Sequence, residues 1–195
     1  AHAVIPLTGP RGHDRFAGPL WLDRIVAVEF PGSPRPTVGV EWEIALVDKT
    51  TRDLSNSAAD VFDSVGRIAG ETPRLTKEFL RNTVELVTDV HDTVAEAVDD
   101  LSESLSLLRR AADPHGVDLM CAGTHPFAQW TDQIVTSAPH YDEMIDRTRW
   151  WGRQMLIWGV HVHVGVSSPH KVIPILNALL VKYPHMLALS ASSPI

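Results

Sequence analysis

Residues 37–48 read Thr-Val-Gly-Val-Glu-Trp-Glu-Ile-Ala-Leu-Val-Asp, an apolar strand interrupted by two carboxylates. Successive strand side chains point to opposite faces. Val38, Val40, Trp42, Ile44 and Leu46 therefore share a face suited to a core, and Glu41 and Glu43 share the other, about 7 Å apart. Two carboxylates closing on a sheet repel each other unless a cation lies between them. A divalent metal is the simplest cation for that position. A single Glu-x-Glu on a wet strand face is ordinarily solvated and inert, so it takes recurrence of the pattern to mark a site.

It recurs twice. Thr83–Thr88 sets Val84 and Leu86 against Glu85, and Gly159–Val166 sets four valines against His161 and His163. Gly165 beside them leaves room for close approach. If the three strands share a sheet, its back is apolar and its front carries metal ligands. The carboxylate-rich set favours a hard cation, Mg²⁺ or Mn²⁺. Zn²⁺ held by both histidines and one glutamate is the competing choice. Taken alone, His-x-His is as often a hydrogen-bonded pair on a half-buried strand.

A chain of 195 residues can bury a real core. Its net charge of −7 argues against a nucleic-acid partner, which calls for a basic stripe. No stretch has the length and apolarity of a membrane span, and no signal-peptide pattern opens the chain. Cys121 is the sole cysteine, so no internal disulfide forms, and a cytoplasmic location is expected. Its apolar neighbours suggest a buried strand cysteine rather than a nucleophile.

Residues 1–36 are rich in proline and glycine and read as a flexible arm, with Leu20–Phe30 a short apolar run that could dock on the body. His2 and His13 in the arm read as solvent-exposed. The folded part, 37–195, continues with a helix over 58–69, a second strand over 83–88, and a long helix opened by a Thr93/Glu96 capping box. Val94, Val98, Leu101, Leu105 and Leu108 form that helix's apolar stripe. A third strand over 117–122, a loop with His125, Phe127 and Trp130, a helix over 141–157 and a fourth strand over 160–166 follow. The last apolar helix should kink or break at Pro174, Pro184 or both.

Neither a Gly-x-x-x-x-Gly-Lys-[Ser/Thr] loop nor a Gly-x-Gly-x-x-Gly fingerprint is present. A bound nucleotide would need metal ions and basic side chains for its phosphates. Arg149 and Lys171 are candidates for that contact, although a solvated helix face is the ordinary reading of any one such residue.

The segments Gly39-Val40-Glu41-Trp42-Glu43, Asn82-Thr83-Val84-Glu85-Leu86-Val87-Thr88, Ala122-Gly123-Thr124-His125-Pro126-Phe127 and Gly159-Val160-His161-Val162-His163-Val164-Gly165 occur in this order. Over about residues 36–194 the chain resembles the glutamate–cysteine ligase type 2 family of ATP-dependent carboxylate–amine ligases. The resemblance implies an α+β, glutamine-synthetase-like antiparallel sheet with a metal-binding face and helices packed on the other face. It implies Mg²⁺ or Mn²⁺ and ATP, an amino acid activated as an acyl phosphate, and an amine that displaces phosphate to form an amide. By motif position Glu41, Glu43, Glu78, Glu85 and His161 match the metal-binding positions, with His163 a further candidate. No residue is assigned a catalytic role beyond this cluster.

Members of that family continue for roughly another domain beyond the matching segments. The expectation is therefore the N-terminal portion of a catalytic domain, working as a homo-oligomer or with a C-terminal half. By itself it should not be a competent ligase. Two other readings remain open: a metal-dependent hydrolase, and a non-catalytic metal-binding homologue or half-subunit.

Overall fold

A computed structural model describes residues 29–193. Most of the expected arm, and all but the end of the Leu20–Phe30 run, lies outside the described residues. The chain divides after Pro31, and the unit from Gly32 onward carries the fold.

The sheet is built around one long strand, β1 (Val38–Asp48). Along one edge it pairs antiparallel with β3 (Thr83–Val87), which pairs in turn with the short β2 (Leu75–Lys77). Its other edge is shared. The N-terminal half takes β5 (Val160–Val164) and the C-terminal half takes β4 (Val117–Met120), both antiparallel. The strands that carry Glu41, Glu43, Glu85, His161 and His163 therefore do lie in one sheet. β2 has no counterpart among the strands expected from the sequence; three residues are too few for alternation to show.

Behind the sheet lie α1 (Ala58–Ala69) and α2 (Val94–Ala112). Ile44, Leu46, Val84 and Leu86 from the strands meet Val61 and Val65 of α1 and Leu108, Ala111 and Ala112 of α2 in one core. Each large aliphatic chain buried there contributes about 1.5–3 kcal/mol relative to exposure. The capping box at the start of α2 is present: the Glu96 N–H donates to Thr93 Oγ1, and Glu96 accepts the Thr93 N–H.

The stripe expected for α2 is only half used. Leu108 is buried and Leu101 and Leu105 pack against the core, but Val94 and Val98 are exposed. In their place the N-terminal half of α2 buries Ala97, Asp100 and Ser104. Asp100 Oδ2 accepts the Asp89 N–H at 3.0 Å and lies 2.9 Å from His91 Nε2, while Oδ1 lies 2.9 Å from Arg74 Nη1. His91 in turn exchanges both backbone hydrogen bonds with Val38, at the start of β1. A single buried carboxylate thus ties α2 to the segment that frames β1.

The helix expected over 141–157 is two shorter ones, α3 (Pro139–Thr148) and α4 (Trp150–Arg153). The break is at Arg149, whose φ of 53° is left-handed. A Cβ on Gly152 would stand 2.0 Å from Thr148 Oγ1, so the close turn there requires glycine. Residues 154–159 then run as irregular chain into β5. After β5, Pro174 lies inside α5 (Pro169–Leu180), and the break falls at residues 181–182, before α6 (Tyr183–Ser190), which has Pro184 in its first turn. Cys121 is exposed, just past the end of β4, rather than buried within a strand.

Gly165 does permit a close approach, but by the chain itself. A Cβ there would stand 2.2 Å from Thr37 Oγ1 and 2.8 Å from Ser33. The Gly165 N–H donates to the Thr37 carbonyl and the Ser33 N–H to that of Val166. The apolar face of β5 is open, with Val160, Val162 and Val164 more than half exposed, and α5 and α6 expose Ile173, Leu176, Leu187 and Leu189. No single described helix is long and apolar enough to cross a membrane; α5 and α6 pass that test only together, bent by 66°.

Asp100→Asn should cost about 2–3 kcal/mol in urea unfolding at neutral pH, below the ~3–5 kcal/mol of a fully buried pair because Arg74 keeps some access to water. Burial pushes the Asp100 carboxyl up, but His91, the Asp89 N–H and Arg74 together hold it below its ordinary value. A depressed carboxyl stabilises above its unfolded pKa and loses that contribution as pH falls through the folded one. The gap between wild type and variant should therefore close in acid.

Candidate metal centre

Strand register decides which ligands meet. Glu43 lies directly opposite Glu85, and Glu85 opposite Thr76, so the three side chains form a row across β1, β3 and β2. Glu41 lies opposite His161, and Gly39 opposite His163. Glu78 follows β2 and is held with its Oε2 accepting the Phe79 N–H at 3.0 Å. All six sequence candidates thus belong to one neighbourhood. Two triads emerge: Glu41, Glu85 and His161, and Glu43, Glu78 and Glu85. Within each, one ligand atom per residue lies within 4.8 Å of the others, and Glu85 is common to both. His163 joins neither triad; its Nε2 lies 3.1 Å from Glu41 Oε2, beside His161 Nδ1 at 3.2 Å.

The carboxylates are oriented by their surroundings. Glu43 Oε2 accepts the Gly159 N–H at 2.7 Å, and the Glu43 N–H donates to the Gly159 carbonyl. Thr76 Oγ1 donates to Glu85 Oε2 at 2.8 Å. Trp158, buried, donates its Nε1–H to Thr83 Oγ1, and the Thr83 hydroxyl donates to the Asn82 amide oxygen. This chain of bonds fixes the irregular segment before β5 against β3. The resulting cleft, of about 250 Å³, is lined by Glu43, Glu78 and His161 among others, with Met155 and Ile157 on its apolar wall.

Charge crowding shows in the acidities. Burial raises the carboxyls of Glu43, Glu78 and Glu85, and their neighbouring carboxylates add to the rise against the bonds from Gly159, Phe79 and Thr76. Glu41 goes the other way: burial pushes it up, but His163 and His161 outweigh that and hold it low. Tyr141 on α3 stacks edge-on against Phe79, and burial with Glu78, Glu85 and Glu43 pushes its hydroxyl up to about 12. Tyr141 had no sequence signal, because a lone tyrosine on a helix fits no motif.

The donor set is four carboxylates and exposed imidazoles with no thiol. Its negative charges are gathered where a hard divalent cation would relieve them, so the residues present fit Mg²⁺ or Mn²⁺. Arg149 and Lys171 do not line this cleft. Arg149 pairs with Asp146 at 2.7 Å, and Lys171 donates to Ser167 Oγ. His125 is buried in a structural role. Its Nε2 lies 2.9 Å from the Arg52 carbonyl, and Nδ1 accepts the Phe127 and Ala128 N–H groups, which fixes the 123–128 loop.

Residues 37–195 match the model of glutamate–cysteine ligase family 2. The chain belongs to that family. It is 76% identical over 170 residues to a Rhodococcus jostii (strain RHA1) protein named glutamate–cysteine ligase 2-2, covering 87% of this chain and 46% of that protein. A Nocardia farcinica (strain IFM 10152) protein of the same name is 67% identical over 172 residues, covering 87% of this chain and 45% of its own length. The chain therefore spans about half the length of these family relatives. Among solved structures, a glutamate–cysteine ligase from Francisella tularensis in complex with AMP superposes with a TM-score of 0.55 at 17% identity, covering 78% of this chain and 30% of that one. At that identity the likeness is one of fold, an α+β arrangement with an antiparallel sheet.

Glu85→Gln should stabilise the metal-free protein by about 1 kcal/mol at pH 7, since it removes a charge from a crowded site while keeping an acceptor for Thr76. A raised carboxyl contributes stability that is full below its unfolded pKa and lost as pH rises through the folded one, so the gain should vanish in acid. The rise in melting temperature on adding Mn²⁺ should shrink in the same variant.

Proposed function

We propose that this chain is the metal-binding part of an ATP-dependent carboxylate–amine ligase with a glutamine-synthetase-like sheet, working in the cytoplasm. The carrying observation is the pair of ligand triads that share Glu85 on one sheet face. The names of the Rhodococcus and Nocardia relatives and the AMP bound to the Francisella enzyme support glutamate, cysteine and a nucleotide as ligands.

Glu41, Glu43, Glu78, Glu85 and His161 would hold Mg²⁺ or Mn²⁺, with His163 orienting Glu41. The metal, when bound, supplies charge neutralisation for transferring phosphate oxygens. Glu43 is kept in place by Gly159, and Glu85 by Thr76, so little reorganisation accompanies reaction. The amino-acid carboxylate attacks the terminal phosphorus of ATP and ADP leaves; the amine then attacks the acyl carbon, phosphate leaves, and the amine gives up a proton. Met155, Ile157 and Trp158 provide the apolar side of the cleft that limits water near the acyl phosphate.

The open valine face of β5 and the apolar surface of α5 and α6 would be covered by further family sequence or by a second copy. A metal-dependent hydrolase uses the same ligands, and nucleotide dependence separates the two. ADP release by a full-length family protein carrying this sequence should require both an amino acid and an amine. Glu43→Gln should lower kcat by about a hundredfold or more, the scale of losing one electrostatic contact at the reacting group. Hydrolysis that proceeds without ATP would contradict the ligase reading, as would amide formation by the 195-residue chain alone contradict the need for more of the fold.

A further inference from the structure

A second cleft, of about 340 Å³, opens beside the start of α1. Its wall carries Lys77 and Arg81 with the hydroxyl-bearing Thr136 and Ser137, and with Thr83, whose own hydroxyl is taken by Trp158 and Asn82; among the described residues no carboxylate lines it. Among the described residues neither cation has a carboxylate partner, whereas Arg35, Arg52, Arg74, Arg147 and Arg149 each do. Lys77 stands 5.5 Å over the Phe62 ring, a contact that engages its charge but none of its N–H donors, at the border with a neighbouring cleft lined by Phe62, Asp63 and Glu71. Arg81 is fixed through its main chain on both sides: its N–H donates to the Ile134 carbonyl and its carbonyl accepts the Ala58 N–H, each at 2.9 Å.

Two like charges on one concave wall raise the local positive potential, and an anion relieves it. The first turn of α1 adds to the same sign. Ser57 precedes α1, but its hydroxyl accepts from Ser55 and caps no helix amide. Glu78 lies between the two cations in sequence but lines the acidic cleft instead, and Asp60, in that first turn, does not line this one either. Thr83 lines both this cleft and the acidic one, so the two adjoin.

We propose that the Lys77–Arg81 cleft is an oxyanion subsite, taking a phosphate or carboxylate group of a ligand whose other end reaches the acidic centre. The assignment of that other end rests on the ligase reading; the anion site itself does not. A guanidinium and an ammonium on one wall with Thr136 and Ser137 supply charge-assisted hydrogen bonds to either oxyanion. The source is set by which group fits: a free or nucleotide-borne phosphate, or the spare carboxylate of an acidic amino acid.

The test is an NMR titration at low ionic strength, without ATP or metal, with inorganic phosphate in one arm and L-glutamate in the other. Wild type should bind one of them, and Arg81→Gln and Lys77→Gln should each weaken that binding by about tenfold or more, the scale of one charge-assisted hydrogen bond. Arg147→Gln, a surface control, should not. Loss confined to the phosphate arm assigns a phosphate group, and loss confined to the glutamate arm a carboxylate. Should Arg81→Gln fail to fold, Arg81→Lys keeps the charge and should retain most of the binding, while Lys77→Gln still weakens it. Absence of binding by wild type, or equal loss in the Arg147 control, overturns the proposal. Neither arm reads ADP release or amide formation, so the subsite can fail while the ligase reading stands, and the reverse.

Discussion

Glu43 and Glu85 face each other across β1 and β3, with Glu78 and Glu41 close by, and this crowding of carboxylates is the constraint on which the rest of the structure turns. Like charges placed directly opposite on a sheet destabilise the pairing. Burial first, and the neighbouring carboxylates after it, raise the carboxyls of Glu43, Glu78 and Glu85, and that rise is the cost of gathering them here. The fold sustains it from behind, where Ile44, Leu46, Val84 and Leu86 bury fully against α1 and α2. It also sustains it from the side, where Asp100 joins α2 to Arg74 and His91. A cation placed among the carboxylates turns the same crowding into affinity, which is why a site that is costly without charge compensation is a useful one.

The ligand strands were legible because alternation on a strand is a strict code. Once Glu41, Glu43, Glu85, His161 and His163 sit opposite apolar residues, the sheet order and the register are left to find. Register was not legible: nothing in the sequence says that Glu43 faces Glu85 rather than Val87. That pairing makes Glu85 common to both triads, and the separate register of β5, which sets His163 opposite Gly39, leaves His163 outside them. Glu78 came from the resemblance alone, since it follows a three-residue strand that periodicity does not reveal. The bonds that orient the ligands, from Gly159, Thr76 and Trp158, were also invisible, because they join segments that the sequence does not show to be neighbours.

Helix reading failed where tertiary packing overrode it. The α2 stripe predicts Val94 and Val98 inside, but a buried Asp100, hydrogen-bonded through Oδ2 to the Asp89 N–H and His91 and ion-paired through Oδ1 with Arg74, takes that half of the helix. The helix over 141–157 stops at a left-handed Arg149, and the released chain is what delivers Trp158 and Gly159 to the site. Gly165 is a place of close approach, as its missing side chain predicts, but the approaching group is the chain's own Thr37 rather than a ligand.

The central claim is that the sheet face holds hard divalent cations between these particular side chains. Anomalous diffraction from crystals grown with Mn²⁺ tests it directly. The account predicts density between Glu41, Glu85 and His161, or between Glu43, Glu78 and Glu85, with Glu85 a ligand in either case. Mn²⁺ bound elsewhere with this face vacant, or bound without Glu85, would contradict it.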